Sequence, residues 1–368
     1  MKTEKWLLVS ILTIYVLLLA GCTTTIGDKS DSFGNGGKET TPDTPLSIEI
    51  TPEGTVLHGT RLGLKLAWLE RNVESHGIYI LDINANDNID PYTFQYSGAI
   101  NVTIILRGGG INRTIRLSKS GTMFDIRTNV TFILDNNVTL KGHSQNTGSV
   151  VYVNSGIFIM NDGATIADNS GVAVTVGEQY GNSGTFTMNG GIISGNSSSG
   201  IWLRKGDFTM NGGIISGNSG NGVYLDNGTF SMTNGTISGN SSPGVYVNSG
   251  TFSITNGTIS NNTANRGGGV HLNSGTFSMR GGIITGNTAI EYGGGVYRNN
   301  GTFTKTGGII TGYSSDPTNG NVVKDGAGAI PRRGHAVYIS TTTRKETTAG
   351  QEDNLSVSGS TATGGWDE

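Results

Sequence analysis

The amino-acid sequence predicts an all-β fold: a parallel β-helix with three strands per coil, about ten coils and a short N-terminal capping helix. Two observations carry this. Phenylalanine recurs at Phe132, Phe158, Phe186, Phe208, Phe230, Phe252, Phe277 and Phe303, with gaps of 26, 28, 22, 22, 22, 25 and 26 residues. Self-similarity at such a period marks a solenoid in which each repeat is one coil. The chain also holds 60 glycines in 368 residues. That content elsewhere signals disorder, but here the glycines fall at periodic turns between short runs of β formers.

Residues 1–21 read as a lipoprotein signal peptide. Lys2 and Lys5 give a basic start, and Leu7–Ala20 is an apolar core of 14 residues, short for a membrane span. Leu19-Ala20-Gly21-Cys22 resembles the bacterial lipobox. That resemblance implies cleavage before Cys22, the only cysteine, and a diacylglycerol on its sulfur. Several acyl chains hold a protein on a membrane essentially permanently. The alternative is an ordinary secretory signal with an incidental cysteine. Residues 22–45, rich in Thr, Gly, Ser, Asp and Pro, read as a flexible tether.

Residues 46–77 are expected to form an N-terminal cap. Leu62, Leu66, Leu69 and Val73 share one helical face with Trp68 beside them. A helix there covers the first coil, whose apolar columns and strand edges are otherwise open.

The β-helix proper is expected over 78–312. Upstream strand runs lie at 78–83, 102–106, 114–117 and 130–134, and the clearest copies follow, such as TFTMNGGIISGN (185–196) and TFSMTNGTISGN (229–240). In the copy opening at Gly206 the strands fall at 207–210, 214–216 and 222–225. Alternation points Phe230, Met232, Val223 and Leu225 inward. Seven residues after its Phe comes Ile193, Ile215, Ile237, Ile259, Ile284 or Ile310. Ten residues after its Phe comes Asn196, Asn218, Asn240, Asn262 or Asn287, and Asn169 joins them if its coil has one extra residue. This column reads as a ladder satisfying turn amides. Gly184, Gly206, Gly228, Gly250, Gly275 and Gly301, each two residues before a Phe, are expected to supply a turn conformation other residues avoid. At one coil per strand spacing the rod is about 50 Å long. Residues 313–334 read as a loop insertion, and 335–368 as the last coil and a C-terminal cap reaching Trp366.

Several features resemble known families. The FxxN spacing (Phe186 to Asn189, Phe208 to Asn211) and the GGGV runs (267–270, 293–296) resemble repeats of chlamydial polymorphic outer-membrane proteins. The whole layout is closer to spirochaete (Treponema-like) lipoproteins with right-handed parallel β-helix repeats. It shares the lipobox, KLAWLERN (65–72), the coil motif, GHAVYIS (334–340) and the terminal GGWDE. The resemblance implies a right-handed coil and a lipid anchor in the cell envelope, at the outer membrane or cell surface. It implies no activity. The chain shows no C-terminal run of long alternating strands, so attachment is expected to rest on Cys22.

Right-handed β-helices also include polysaccharide lyases and glycoside hydrolases, the alternative reading of function, so the chemistry has to be sought residue by residue. Between Gly184 and Gly312 the only acids are Asp207, Asp226 and Glu291, at three different offsets. The bases Arg204, Lys205, Arg266, Arg280, Arg298 and Lys305 are equally scattered, and most read as surface charges. Upstream lie Asp82, Asp87, Asp90, Asp125, Asp135, Asp162 and Asp168. Asp135 and Asp162 share a turn position, which suits turn formation or a weak acid or metal site. Asp316, Asn319, Asn321 and Asp325 lack calcium-loop spacing and read as a turn. No catalytic constellation, cofactor motif or metal motif emerges. Charged residues are 14% and the net charge is −3, which argues against a nucleic-acid partner. The Thr-x-Thr and Thr-x-Ser pairs at 185–187, 229–231, 251–253, 276–278 and 302–304 form a hydroxyl face, interrupted at Asp207, as on many β-helices.

One face carries a pattern of its own. The middle residue of each Val-x-Leu-type strand points outward, giving Tyr152, Trp202, Tyr224, Tyr246, His271, Tyr297 and Tyr338, with Ala173 interrupting the row. Exposed, these rings form a flat stacking surface for sugar rings or a partner's apolar patch. The same row also reads as outward β residues stacking on themselves. The expected function is an adhesin-like scaffold for glycan or protein ligands, with Trp202, Tyr224, Tyr246, His271 and Tyr297 as the candidate face and the membrane as a second partner through the lipid. Replacing Cys22 with Ser is expected to move the protein from the detergent phase to the aqueous phase in a phase-partition experiment. Unchanged partitioning refutes the anchor.

Overall fold

The computed structural model describes residues 43–340 except 179, 314–315, 325 and 329–333. Beyond 340 it describes the backbone of Arg344–Lys345, Leu355–Ser358 and Thr361–Gly364. The expected signal peptide, Cys22, the expected tether up to residue 42, Asp325 and Trp366 lie outside the described residues.

Each regular coil is three short strands joined by three turns. In the coil opening at Gly206 they are Gly206–Met210, Ile214–Ser216 and Val223–Leu225. Each strand pairs in parallel with its counterparts one coil below and above. Phe208 lies between Phe186 and Phe230, Ile215 between Ile193 and Ile237, and Tyr224 between Trp202 and Tyr246. The Tyr-bearing face is an eleven-stranded sheet, parallel throughout except for its last strand, Arg344–Lys345, so ten coils contribute to it. Gly206, Gly228, Gly250, Gly275 and Gly301 turn the chain into the Phe strand at φ between 78° and 110°, which a Cβ disfavours. Gly184 does not share that conformation.

The expected columns form the core. The eight Phe rings, Phe132 to Phe303, are fully buried. Successive rings lie 4.7–5.7 Å apart and within 16° of parallel. Two rings from the Tyr-bearing face, Phe94 and Phe124, extend the stack, each 5.0 Å from Phe132. Burying each such side chain contributes about 1.5–3 kcal/mol.

The Asn column is longer than the spacing suggested. It runs from Asn146 through Asn169, Asn196, Asn218, Asn240, Asn262 and Asn287 to Asn321, all essentially buried. From Asn196 onward each side-chain amide donates to the Oδ1 of the next Asn at 2.8–3.0 Å. The same Oδ1 accepts the backbone N–H of the lower Asn at 3.0–3.2 Å. Asn321 belongs to the stretch expected as an insertion. After Gly312 the chain makes an excursion and returns, bridging Gly312 to Asn321 and continuing as Val322–Val323. Asp316 holds the excursion's turn, accepting the N–H groups of Thr318 and Asn319 at 3.0 Å.

Two of the six scattered bases, most of which were expected on the surface, are in the core. Arg298 stacks on Leu272, and Lys305 on Met279, in inward columns. The Arg298 guanidinium donates to the Gly301 carbonyl at 2.7 and 3.0 Å. Both sit near the end of the rod: Arg298 lies between Leu272 and Ile339 in its column, and Lys305 is the last parallel member of its own.

Both ends are closed. At the N-terminus the antiparallel pair Ser47–Thr51 and Gly54–His58 adds in parallel to Ile78–Ile83, a hairpin the sequence pattern did not reveal. The helix Leu62–Asn72 buries Leu62, Leu66 and Leu69 against the core. Val73 lies just past the helix in extended conformation. Asp87 accepts the Leu62 N–H at 2.7 Å and so anchors the helix start. Lys65 is also buried, donating to the carbonyls of Gly59 and Asp82, and burial pulls its amine down to about 8. At the other end Leu355–Ser358 pairs antiparallel with Thr302–Lys305.

Phe230→Ala is expected to cost about 3–5 kcal/mol in chemical denaturation, because neighbouring coils cannot close the void. Asn240→Ala is expected to cost at least about 2 kcal/mol, since it strands the donors of Asn218. A loss below about 1 kcal/mol for either refutes the packed-column account.

Candidate functional site

The outward row on the Tyr-bearing face runs Thr93, Asp125, Tyr152, Thr175, Trp202, Tyr224, Tyr246, His271, Tyr297 and Tyr338, one residue per coil in unbroken register. The row is interrupted by Thr175, not Ala173. Val172-Ala173-Val174-Thr175-Val176 alternates throughout, so two registers look alike in sequence. The strand is Val174–Val176, because this coil carries one residue more before Asn169. Ala173 is fully buried in the preceding turn.

The rings do not make the flat platform that exposure would give. Trp202, Tyr224, Tyr246 and His271 are half-buried and Tyr297 is buried. Trp202 meets Tyr224 edge-on at 89°. Tyr224 and Tyr246 stack at 5.1 Å and 3°. His271 is tilted by 52° to Tyr246 and lies at 84° to Tyr297. The Arg204 guanidinium covers Trp202 at 4.6 Å. Tyr297 is enclosed by Tyr338, 5.8 Å away, and by Arg266 at 5.6 Å. Along much of the row the rings spend their faces on one another.

A groove opens where the coils lengthen. After Asn262 and Asn287 the chain makes an additional strand before returning to the Tyr-bearing face: Thr263–Arg266 and then Thr288–Tyr292. Together with Val322–Val323 these form a separate three-stranded parallel ledge beside the row. The GGGV runs are the return path. Gly267 and Gly293 adopt φ of 62° and 63°, and a Cβ on Gly268 would lie 2.5 Å from the Thr288 carbonyl. The preceding coil has only the short turn Ser241-Ser242-Pro243, so the ledge overhangs it. The groove beneath is lined by Tyr224, Tyr246 and His271 on one side and Thr263–Arg266 on the other. Its two charged residues, Arg266 and Glu291, pair at 2.6 Å. The coil-length increase after Phe252 was the sequence signal for this ledge.

Thus Tyr224, Tyr246 and His271 come together in one groove. Trp202 stands outside it under Arg204, and Tyr297 is buried behind Arg266. The charged end of the row is different. Asp125 is nine-tenths buried and meets Arg127 at 2.5 Å, while burial raises its carboxyl above the usual range. Glu178 accepts from Tyr152 at 3.0 Å and Asn154 at 3.2 Å, and burial together with Glu178 pushes the Tyr152 phenol up to about 12.

Most other carboxylates have structural work. Asp135 terminates a surface ladder that runs Thr233, Asn211, Asn189, Asn161. Asp226 terminates another, Asn299, Asn273, Asn248. In both, each amide donates toward the N-terminus, and a carboxylate, which only accepts, is the fitting last member. Asp82 pairs with Arg107 at 2.6 Å, Asp90 with Lys119 at 2.6 Å and Asp168 with Lys141 at 2.5 Å. Among the described residues no three His, Cys, Asp or Glu side chains are grouped to hold a metal ion.

Burial lowers the His271 imidazole to about 4, with Arg266 adding a smaller push the same way. Its folded value therefore lies below the unfolded value of about 6.5, so the unfolded chain binds the extra proton first. His271 contributes stability above about pH 6.5 that is lost as pH falls toward 4. His271→Gln is expected to flatten the slope of stability against pH in that window, measured by urea unfolding. An unchanged slope refutes the buried neutral imidazole.

No curated protein and no solved structure matches the chain. Residues 155–321 match the family model described as right handed beta helix region, and the coils on either side continue the same right-handed parallel β-helix.

Proposed function

We propose that this chain is a lipid-anchored cell-envelope protein, held through Cys22 at the outer membrane or cell surface. Its rod is displayed as an adhesin-like scaffold that takes a glycan or protein ligand in the groove on Tyr224, Tyr246 and His271. The observation that carries the reading is the groove itself, where the outward row, hydroxyls and the edge of the ledge converge. The anchor reading rests on Leu-Ala-Gly-Cys at the end of the apolar core. Many copies on one surface raise the avidity of a weak contact.

The alternative, cleavage of a polysaccharide, draws support from the fold alone. The engagement of most carboxylates in ladders and ion pairs favours the scaffold. The test uses the Cys22→Ser protein on arrays of glycans and surface proteins. Against any ligand found, Tyr224→Ser combined with Tyr246→Ser is expected to weaken binding about 30-fold, at roughly 1 kcal/mol per ring, with circular dichroism unchanged. Pectins and glycosaminoglycans incubated with the protein, with and without calcium, are expected to keep their length. Wild-type binding by the double variant refutes the groove, and depolymerisation lost on mutating a carboxylate refutes the scaffold.

A further inference from the structure

An asparagine followed by glycine can be attacked by its own main chain, because glycine has no Cβ to shield the attacking nitrogen. The chain holds nine such pairs, opening at 35, 189, 211, 221, 227, 234, 256, 300 and 319, and all but the first lie among the described residues. The fold treats them differently. After Asn189, Asn211, Asn221 and Asn319 the glycine N–H is given to a main-chain carbonyl, of Met160, Met188, Pro243 and Asp316, at 2.7–3.3 Å. After Asn234, Asn256 and Asn300 it makes no bond to the asparagine side chain among the described residues. At Asn300 the Arg298 guanidinium instead pins the turn through the Gly301 carbonyl. Asn227 stands apart. It is exposed in the turn between Val223–Leu225 and Thr229–Met232. The Gly228 N–H points at its Oδ1, 2.8 Å away, and makes no other hydrogen bond among the described residues. That contact polarises the side-chain carbonyl and holds the attacking nitrogen against its carbon, a placement that a flexible turn reaches only in passing.

We propose that Asn227 is a self-modification site, converted by its own turn to aspartate and isoaspartate through a cyclic imide. The Gly228 nitrogen gives its proton to solvent and bonds to Cγ of Asn227. The Cγ–Nδ2 bond breaks, and ammonia leaves with a proton taken from solvent. Water then opens the five-membered imide. Opening at Cγ leaves aspartate at position 227. Opening at the main-chain carbonyl leaves isoaspartate, in which the chain runs through Cβ and Cγ. One water is consumed and one ammonia released, with no oxidant or reductant. Either product sets a second carboxylate beside Asp226, the last acceptor of its amide ladder. Isoaspartate also lengthens the main chain by one carbon just ahead of the strand that carries Phe230.

The test uses the full chain in detergent, held at physiological temperature and pH for several weeks and then digested with an acid protease. Mass spectrometry reads the gain of one dalton at each asparagine, and enzymatic methylation counts the isoaspartate. Asn300 is the internal control, because it shares Asn-Gly-Thr-Phe with Asn227. In the folded chain Asn227 is expected to convert about tenfold faster than Asn300, the gain of a pre-placed nitrogen. In guanidinium, with the turn dissolved, the two are expected to convert at the same rate. Asn227→Gln, whose ring would have six members, is expected to abolish the gain at that turn. The proposal is overturned by equal rates at Asn227 and Asn300 in the folded chain. It is also overturned by the same excess at Asn227 in guanidinium, which makes the effect one of sequence and not of the fold. Aspartate formed without isoaspartate overturns it too, as the mark of direct hydrolysis without the imide.

Discussion

In-register parallel pairing between coils is the constraint from which the other features follow. A single coil has three short strands and too few contacts to hold an interior. Pairing Phe208 under Phe230 and Asn218 under Asn240 places like on like. Apolar residues then form unbroken columns, and an amide, which both donates and accepts, can be buried because its neighbours above and below are amides too. A residue that could only donate or only accept would break the chain of bonds at its position. Carboxylates therefore appear at ladder ends, as Asp135 and Asp226 do.

Much of this architecture can be read from the sequence, for a physical reason. Where the period is a constant 22 residues, each position meets the same environment in every coil, and the pattern repeats the environment aloud. The Phe and Ile columns, the Asn ladder from Asn196 to Asn287 and the three strands opening at Gly206 all lie in or next to that region. The reading failed where the period breaks. Beside the coil with an extra residue, the alternating stretch 172–176 offers two registers, and the row takes Thr175 where Ala173 was expected. An excursion hid Asn321, and near the end of the rod Arg298 and Lys305 take places that apolar residues such as Leu272 and Met279 hold in the coil below.

The groove belongs to the same class of irregularity. Its floor was visible as an aromatic row, because outward positions repeat as faithfully as inward ones. Its wall was not, because strands that exist in only three coils leave no long column to recognise. Exposure was misjudged for a related reason. Sequence alternation says which way a side chain points but not what lies beside it, and Arg204, Arg266 and Tyr338 all close over rings that point outward.

The ladders also separate length from chemistry. Between Gly184 and Ser260 the inward Phe, Ile and Asn columns meet copies of themselves, so a coil removed whole leaves the interior groups on either side facing what they faced before. The rod would be shorter by one spacing, with each column missing one member and none interrupted. Slippage of a repeated gene segment by one period thus leaves the interior intact in this stretch, while outward features such as the ladder end Asp226 and the groove residues Tyr224 and Tyr246 exist once, as the caps and the ledge do. The length of the rod can drift over generations while its interior chemistry stays as it is.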